Sequence, residues 1–234
     1  MKKIDKILAN VVMLLLIIAI LITSFQIAIY GDTEYKFYQK LYEKYTVLDD
    51  LNMEMDDVME VTDYMMAYLI GGEEELSIVT DVDGREQDFF NEQDRLHMAD
   101  VKNLFLGGLK LRTYLLVVVA VLFIILIIRK VNLKSLLPKA YITALGIFMG
   151  IVLFLAVAFT IDFTACFTIF HEIFFTNDLC LFDPSTDYMI RMLPEGFFAS
   201  MVVRIVSIFV GILLGIFVLV LGYQRLEKKN KRSL

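Results

Sequence analysis

Long apolar blocks alternate with charged stretches along this chain. Four blocks, residues 8–30, 111–128, 140–163 and 199–223, are apolar all round. A helix packed on a soluble core keeps a polar face, and these do not. Each is near the roughly 20 residues that carry a helix across a hydrocarbon core of about 30 Å. The second is the shortest, and Leu104 to Leu111 would extend it. The pattern predicts an all-α polytopic membrane protein with four transmembrane helices. Lys2, Lys3 and Lys6 precede the first block, as they would in a secretory leader. The apolar run is long for a leader and no clear small-x-small cleavage site follows, so it reads as an uncleaved anchor.

The intervening patterns differ. Residues 31–110 form a segment too long for a plain connector. Tyr38, Leu41, Tyr42 and Tyr45 fall at i, i+3, i+4 and i+7, the spacing of one helix face. Tyrosine at a helix mouth suits the headgroup zone, so this face is expected to form an interfacial collar. A second helix is predicted over residues 52–70, stopped by Gly71-Gly72. Residues 76–82 alternate and are β-branched, Asp83-Gly84 is a two-residue hairpin signal, and residues 85–90 supply the return strand. Asn91 can cap a third helix that carries His97 and ends near Gly107-Gly108. The segment therefore reads as a small α+β cap. Residues 164–198 form a second, shorter connection. Gly146 and Gly150, and Gly211 and Gly215, are each four apart and suggest close helix packing.

Charge assigns the sides. The chain is 58% hydrophobic with mean hydropathy +0.67 and net charge -6, but the charge is sorted. Residues 1–7, 129–139 and 224–234 are basic, the last with Arg225, Lys228, Lys229, Lys231 and Arg232. The other two connections are acidic. The positive-inside rule puts both termini and the 129–139 loop in the cytoplasm, and residues 31–110 and 164–198 outside. Only an even number of spans satisfies all three basic segments.

Several classes of chemistry lack support. No GxxxxGK[ST], GxGxxG or GxSxG motif occurs, so neither a nucleotide nor an elbow serine hydrolase is indicated. The short basic tail fits topology better than nucleic-acid binding. Asp81-x-Asp83-Gly84 resembles part of a calcium loop, but Val79 and Phe90 stand where acids are required.

The two histidines are the chemical candidates. His97 has Asp94 and Asp100 three residues away on either side, where both can share its helical face and support its cationic form. His171 lies in FHEIFF, among aromatics that could exclude water. Imidazole suits proton transfer near neutrality. Two unrelated polar residues at a wet interface is the competing reading. Zinc held by the histidines with Glu172, Asp94 or Asp100 is another, although no His-x-x-x-His or Glu-x-x-His pair exists. Cys166 and Cys180 are placed outside, either bridged or as small apolar fillers. Arg204, within the fourth block, is expected to snorkel or to pair structurally, with Asp162 a possible partner.

VTDYMMAYLIGGEEEL (residues 61–76), HMADVKNLF (97–105), FHEIFF (170–175), FDPSTD (182–187) and PEGFF (194–198) occur in this order between the four blocks. Together they resemble the bacterial lipoprotein intramolecular transacylase family, Lit, a group of four-helix membrane proteins. The resemblance spans most of the long segment and the second connection. The family often has a tryptophan between FHEIFF and FDPSTD; here Cys180 or Leu181 stands near that place, which bears on the pocket lining. The resemblance implies an enzyme of the bacterial cell membrane acting on lipoproteins whose N-terminal cysteine carries a diacylglyceryl group. One acyl chain would move from the glyceryl ester to the cysteine α-amine, giving the lyso form, on the extracytoplasmic face. His97 and His171 match the family's catalytic histidines, with Asp94, Asp100, Asp187 and Arg204 as supporting candidates. Outer-leaflet lipid is an expected partner. Ester to amide runs downhill, so no cofactor, metal or nucleotide is expected. A non-enzymatic membrane chaperone or signalling partner of exported proteins, and an outer-face metal-dependent lipid hydrolase, are the alternatives.

Overall fold

The computed structural model describes residues 2–232, with side chains as far as Leu226. The side chains of Lys228, Lys229, Lys231 and Arg232 lie outside that description, as do Ser233 and Leu234. The elements are α1 (Lys3–Tyr30), α2 (Lys36–Lys44), α3 (Val47–Leu51), α4 (Met55–Leu69), β1 (Val79–Val82), β2 (Arg85–Asp88), α5 (Glu92–Ile128), α6 (Leu133–Ile161), α7 (Phe163–Phe174), α8 (Tyr188–Met192) and α9 (Glu195–Arg232). Helices α1, α5, α6 and α9 are long and apolar enough to cross a membrane. The protein is an all-α polytopic membrane protein with four membrane helices and a small α+β cap.

The chain divides into two compact units. The first comprises residues 1–29, 110–157 and 204–234. Its core gathers Ala9, Val12, Ile17, Leu126, Ala144 and Leu213. Two polar contacts tie its helices, one within the apolar blocks, where lipid offers a polar group no other partner, and one just beyond their ends. Tyr141 donates to the Leu213 carbonyl at 2.6 Å, and Arg129 pairs with the buried Asp5 at 2.7 Å. The expectation of glycine-mediated packing fails here. A methyl group added at Gly146, Gly150, Gly211 or Gly215 would meet nothing within 4 Å, and all four are exposed. Close packing falls instead on the face of α6 that bears Leu136, Ala140 and Ala144, which is buried.

The second unit comprises residues 30–109 and 158–203. Helix α4 ends in a Schellman motif. Gly71, at φ +83°, donates to Tyr68, and Gly72 donates back to Ala67 at 2.8 Å. Strands β1 and β2 pair antiparallel with Val82 opposite Arg85, joined by Asp83 and Gly84 at φ 54° and 71°. Two successive left-handed residues make the type I′ turn that the Asp-Gly signal predicts. The turn docks on α3 through the Asp83 amide, which donates to Leu51 at 3.0 Å, and Arg191 pairs with Asp83 at 2.9 Å.

The tyrosine face of α2 is not an interfacial collar. Tyr38, Leu41 and Tyr42 are buried. Tyr42 stacks on Phe197 at 5.7 Å, and its hydroxyl shares a 2.8 Å bond with Thr62. The same amphipathic period serves a protein core because α4 and the start of α9 supply apolar partners. A second correction concerns α5, which runs through Gly107-Gly108 without a break. Glycine costs a helix interior about 1 kcal/mol each, which a 37-residue helix with regular turns on both sides absorbs.

Candidate active site

The site is built within the second unit at the start of α5. Asn91 caps the helix: its Oδ1 accepts from the Asp94 amide at 2.9 Å, and Asp94 Oδ2 accepts from the Asn91 amide at 3.0 Å. This reciprocal box fixes the first turn and places His97 one turn further on, 6% exposed. This stretch, before Lys110, carries Glu92, Asp94, Arg95, Asp100 and Lys102 and precedes the apolar block of α5.

His171 arrives from α7, whose N-terminus is capped by Asp162 accepting from the Ala165 amide. The His97 and His171 rings stack with centroids 5.8 Å apart and planes 26° from parallel. Aromatic rings enclose the pair. Phe175 and Phe182 meet His97 edge-on at 5.4 and 5.3 Å, and Phe167 meets His171 edge-on at 4.4 Å.

Electrostatics distinguish the two imidazoles. His171 Nδ1 lies 2.8 Å from the Phe167 carbonyl. A carbonyl can only accept, so the Nδ1 bears a proton, and in the neutral ring Nε2 is the nitrogen with the lone pair. His97 is pushed down to about 4, by burial first and by the neighbouring His171 second, against a smaller opposing pull from Asp100. It is therefore neutral at pH 7. The expectation that flanking carboxylates support a cationic His97 is overturned: desolvation of the charged form outweighs one nearby carboxylate. Asp94 is itself pushed up to about 6, chiefly by burial and secondarily by Asp187, with its Asn91 bond opposing. Among the described residues, neither Asp94 Oδ1 nor His97 Nδ1 has a hydrogen-bond partner.

The remaining sequence candidates fall as follows. Asp187 is 3% exposed. Its Oδ1 accepts from Asn91 Nδ2, and its Oδ2 accepts from the Asp183 amide at 2.7 Å and Thr186 Oγ1 at 3.2 Å. It thus ties the second connection to the cap of α5. Asp100 accepts from Asn177 at 2.9 Å and makes a second tie beyond His97. Arg204 belongs to the first unit. Cys166 and Cys180 are free thiols. No three His, Cys, Asp or Glu side chains gather to hold a metal ion among the described residues.

Sequence reasoning missed the second role of Asn91, which caps α5 with one amide atom and holds Asp187 with the other. It also missed Phe167, whose signal was present: it stands four residues from His171, one helical turn away.

Known proteins match this arrangement. The model of the family "Lipoprotein intramolecular transacylase Lit" matches residues 10–198. The structure of the membrane-integral lipoprotein intramolecular transacylase Lit from Bacillus cereus superposes with TM-score 0.75 at 22% identity, covering 99% of each chain. A form of that protein with a histidine replaced by arginine gives 0.73 at 22% identity over 99% of this chain and 95% of that one. A histidine-to-alanine form gives 0.72, again at 22%, over 98% and 96%. No curated protein matches the chain. With most of its length inside the family model, the chain belongs to the lipoprotein intramolecular transacylase (Lit) family.

Proposed function

We propose that this chain moves an acyl chain from the glyceryl ester of a diacylglyceryl-modified lipoprotein to the α-amine of its N-terminal cysteine, with His97 and His171 as the catalytic residues. The observation that carries this is the pairing of the only two histidines. They stand 74 positions apart in sequence yet stack at 5.8 Å inside an aromatic enclosure.

The α-amine, with a reference pKa near 7.7–8.0, is largely an ammonium at neutral pH and must lose a proton before attack. His171 is the base. Its Nε2 lone pair takes the proton, and the Phe167 carbonyl accepting from Nδ1 supports the imidazolium that forms. The amine nitrogen then bonds to the ester carbonyl carbon. Neutral His97 offers a ring N–H to the oxyanion, as a neutral imidazole can. The adduct nitrogen releases its second proton to solvent, and when the C–O bond breaks the His171 proton passes to the glyceryl oxygen, leaving an amide, a free hydroxyl and the one proton that the starting ammonium carried in excess. Donor and acceptor belong to one molecule, so positioning contributes heavily. The distribution of basic segments supports N-in, C-in topology, with the histidines on the extracytoplasmic face beside the outer leaflet where such substrates reside.

The test is expression in a bacterium making diacylglyceryl lipoproteins, followed by mass spectrometry of one N-terminal lipopeptide. An N-acyl, monoacylglyceryl cysteine is expected with the wild type and not with His97→Ala or His171→Ala. An unchanged lipopeptide from folded, membrane-inserted wild type overturns the assignment. Product that survives both substitutions removes the histidines from it.

A further inference from the structure

Phe159, Phe163, Phe167 and His171 recur at every fourth position across the junction of α6 and α7. Their rings form a continuous row, with successive centroids 5.4, 5.6 and 4.4 Å apart, about 15 Å in all. These four residues are partly buried, whereas Ile161 is 79% exposed and Ile169 53% exposed on the other faces. Phe198 packs on the middle of the row, 4.9 Å from Phe167. The row ends on the imidazole assigned as the base.

We propose that this aromatic row is the track for the migrating acyl chain and sets which chain lengths are transferred; the inference rests on the transacylase reading above. Three observations favour an acyl chain as the occupant. The row has no charged or hydrogen-bonding side chain before His171, so it has nothing to offer a polar ligand. Its length is about half of a 30 Å hydrocarbon core, the thickness contributed by the chains of one leaflet. Its inner end touches the ring that must stand beside the ester carbonyl, so a chain laid along it has its reacting carbon at His171 and its methyl end near Phe159. A row of lipid-facing aromatics would have no such register.

Contact with the far end then discriminates by length. Each methylene that loses apolar contact costs about fourfold in relative rate. A long chain touches Phe159 and a short one stops before it.

The experiment uses the purified full-length protein in lipid nanodiscs. Two synthetic diacylglyceryl lipopeptides compete, one with two palmitoyl chains and one with two octanoyl chains, and product is read by mass spectrometry. The wild type is expected to favour palmitoyl. Phe159→Ala, and the gentler Phe159→Leu, are expected to lower the palmitoyl-to-octanoyl ratio, about fourfold or more for alanine. Ile169→Ala, on the exposed face of α7, should leave the ratio unchanged. An unchanged ratio in both Phe159 variants, with transfer still abolished in His171→Ala, overturns the track and leaves the transacylase reading standing. An equal shift in Ile169→Ala overturns it too, because general lipid packing would then be the cause. Absence of product from folded wild type removes both readings.

Discussion

Asp187→Ala tests how the second connection is held against the histidine pair. The carboxylate is 3% exposed and accepts from Asn91 Nδ2, the Asp183 amide and Thr186 Oγ1. Thr186 Oγ1 also reaches the Asp183 carbonyl at 3.3 Å, so its loss is partly made good. The other two donors are left without an acceptor. Hydrogen bonds to a charged group contribute about 1.5–3 kcal/mol each, which gives a loss of about 3–6 kcal/mol. Some is returned, because the Asp187 charge helps to hold Asp94 above its ordinary range. A net loss of about 2–4 kcal/mol follows, or roughly 5–15 °C in Tm for a chain of this size. Asp187→Asn keeps one acceptor but sets an amide N–H against the Asp183 N–H, and about half the loss is expected.

Thermal unfolding of the detergent-solubilised protein is the first assay. The chain has no tryptophan, but Cys166 and Cys180 are free, so a thiol-reactive fluorophore reports unfolding. The second readout is the titration of the His97 imidazole, followed by NMR below the variant's Tm. Asp187 pins the segment whose Phe182 lies edge-on to His97 at 5.3 Å. Once that segment loosens, water reaches the imidazole, and its pKa climbs from about 4 toward the ordinary 6.5. The His97 titration midpoint should then move up in pH, which a loss of global stability alone would not produce. A Tm change under about 2 °C for Asp187→Ala, or a lower Tm with an unmoved His97 titration midpoint, refutes the reasoning.

Asp94→Asn should keep the helix cap and change how stability depends on pH. The raised carboxyl binds its proton more tightly when folded, so wild type loses stability as pH rises from 3.8 through 6. The variant's stability relative to wild type should therefore increase over that window, by up to about 3 kcal/mol, as thermal scans at several pH values will show. His97 has the opposite sign: its lowered pKa costs stability as pH falls from 6.5 through 4, and His97→Phe should blunt that acid loss in the same scans. Gly196→Ala would drive a methyl group into the Tyr45 ring, whose hydroxyl is held by Ser200 at 2.9 Å. It should cost about 1–3 kcal/mol in unfolding assays, and Tyr45→Ala in the same chain should recover part of it. Transfer in the presence of a chelator should match the untreated rate, because no three metal-ligating side chains converge among the described residues; loss on chelation, restored by zinc, would contradict this.

How far the sequence could be read depends on whether each feature is local. The membrane helices were legible because a lipid solvent forces long all-round apolar runs. The hairpin was legible because Asp83-Gly84 alone satisfies two left-handed positions. The Asn91 cap needs only the next four residues. Burial and long-range pairing are not local. An amphipathic period on α2 says that one face is apolar, but not whether lipid or protein covers it, and Phe197 with Thr62 decided that. Two carboxylates three residues from His97 looked like support for its charge, yet a buried site reverses the balance. The pairing of His97 with His171 had no local signature and was reached only through the family resemblance. In the fold it rests on two polar ties that bracket His97 along α5, Asn91 with Asp187 before it and Asp100 with Asn177 after it. Each joins a residue near the start of α5 to one in the second connection, so neither has a sequence period to betray it. The two catalytic candidates are held in register by side chains with no part in proton transfer, and geometry at the site should be lost through those ties before it is lost through either histidine.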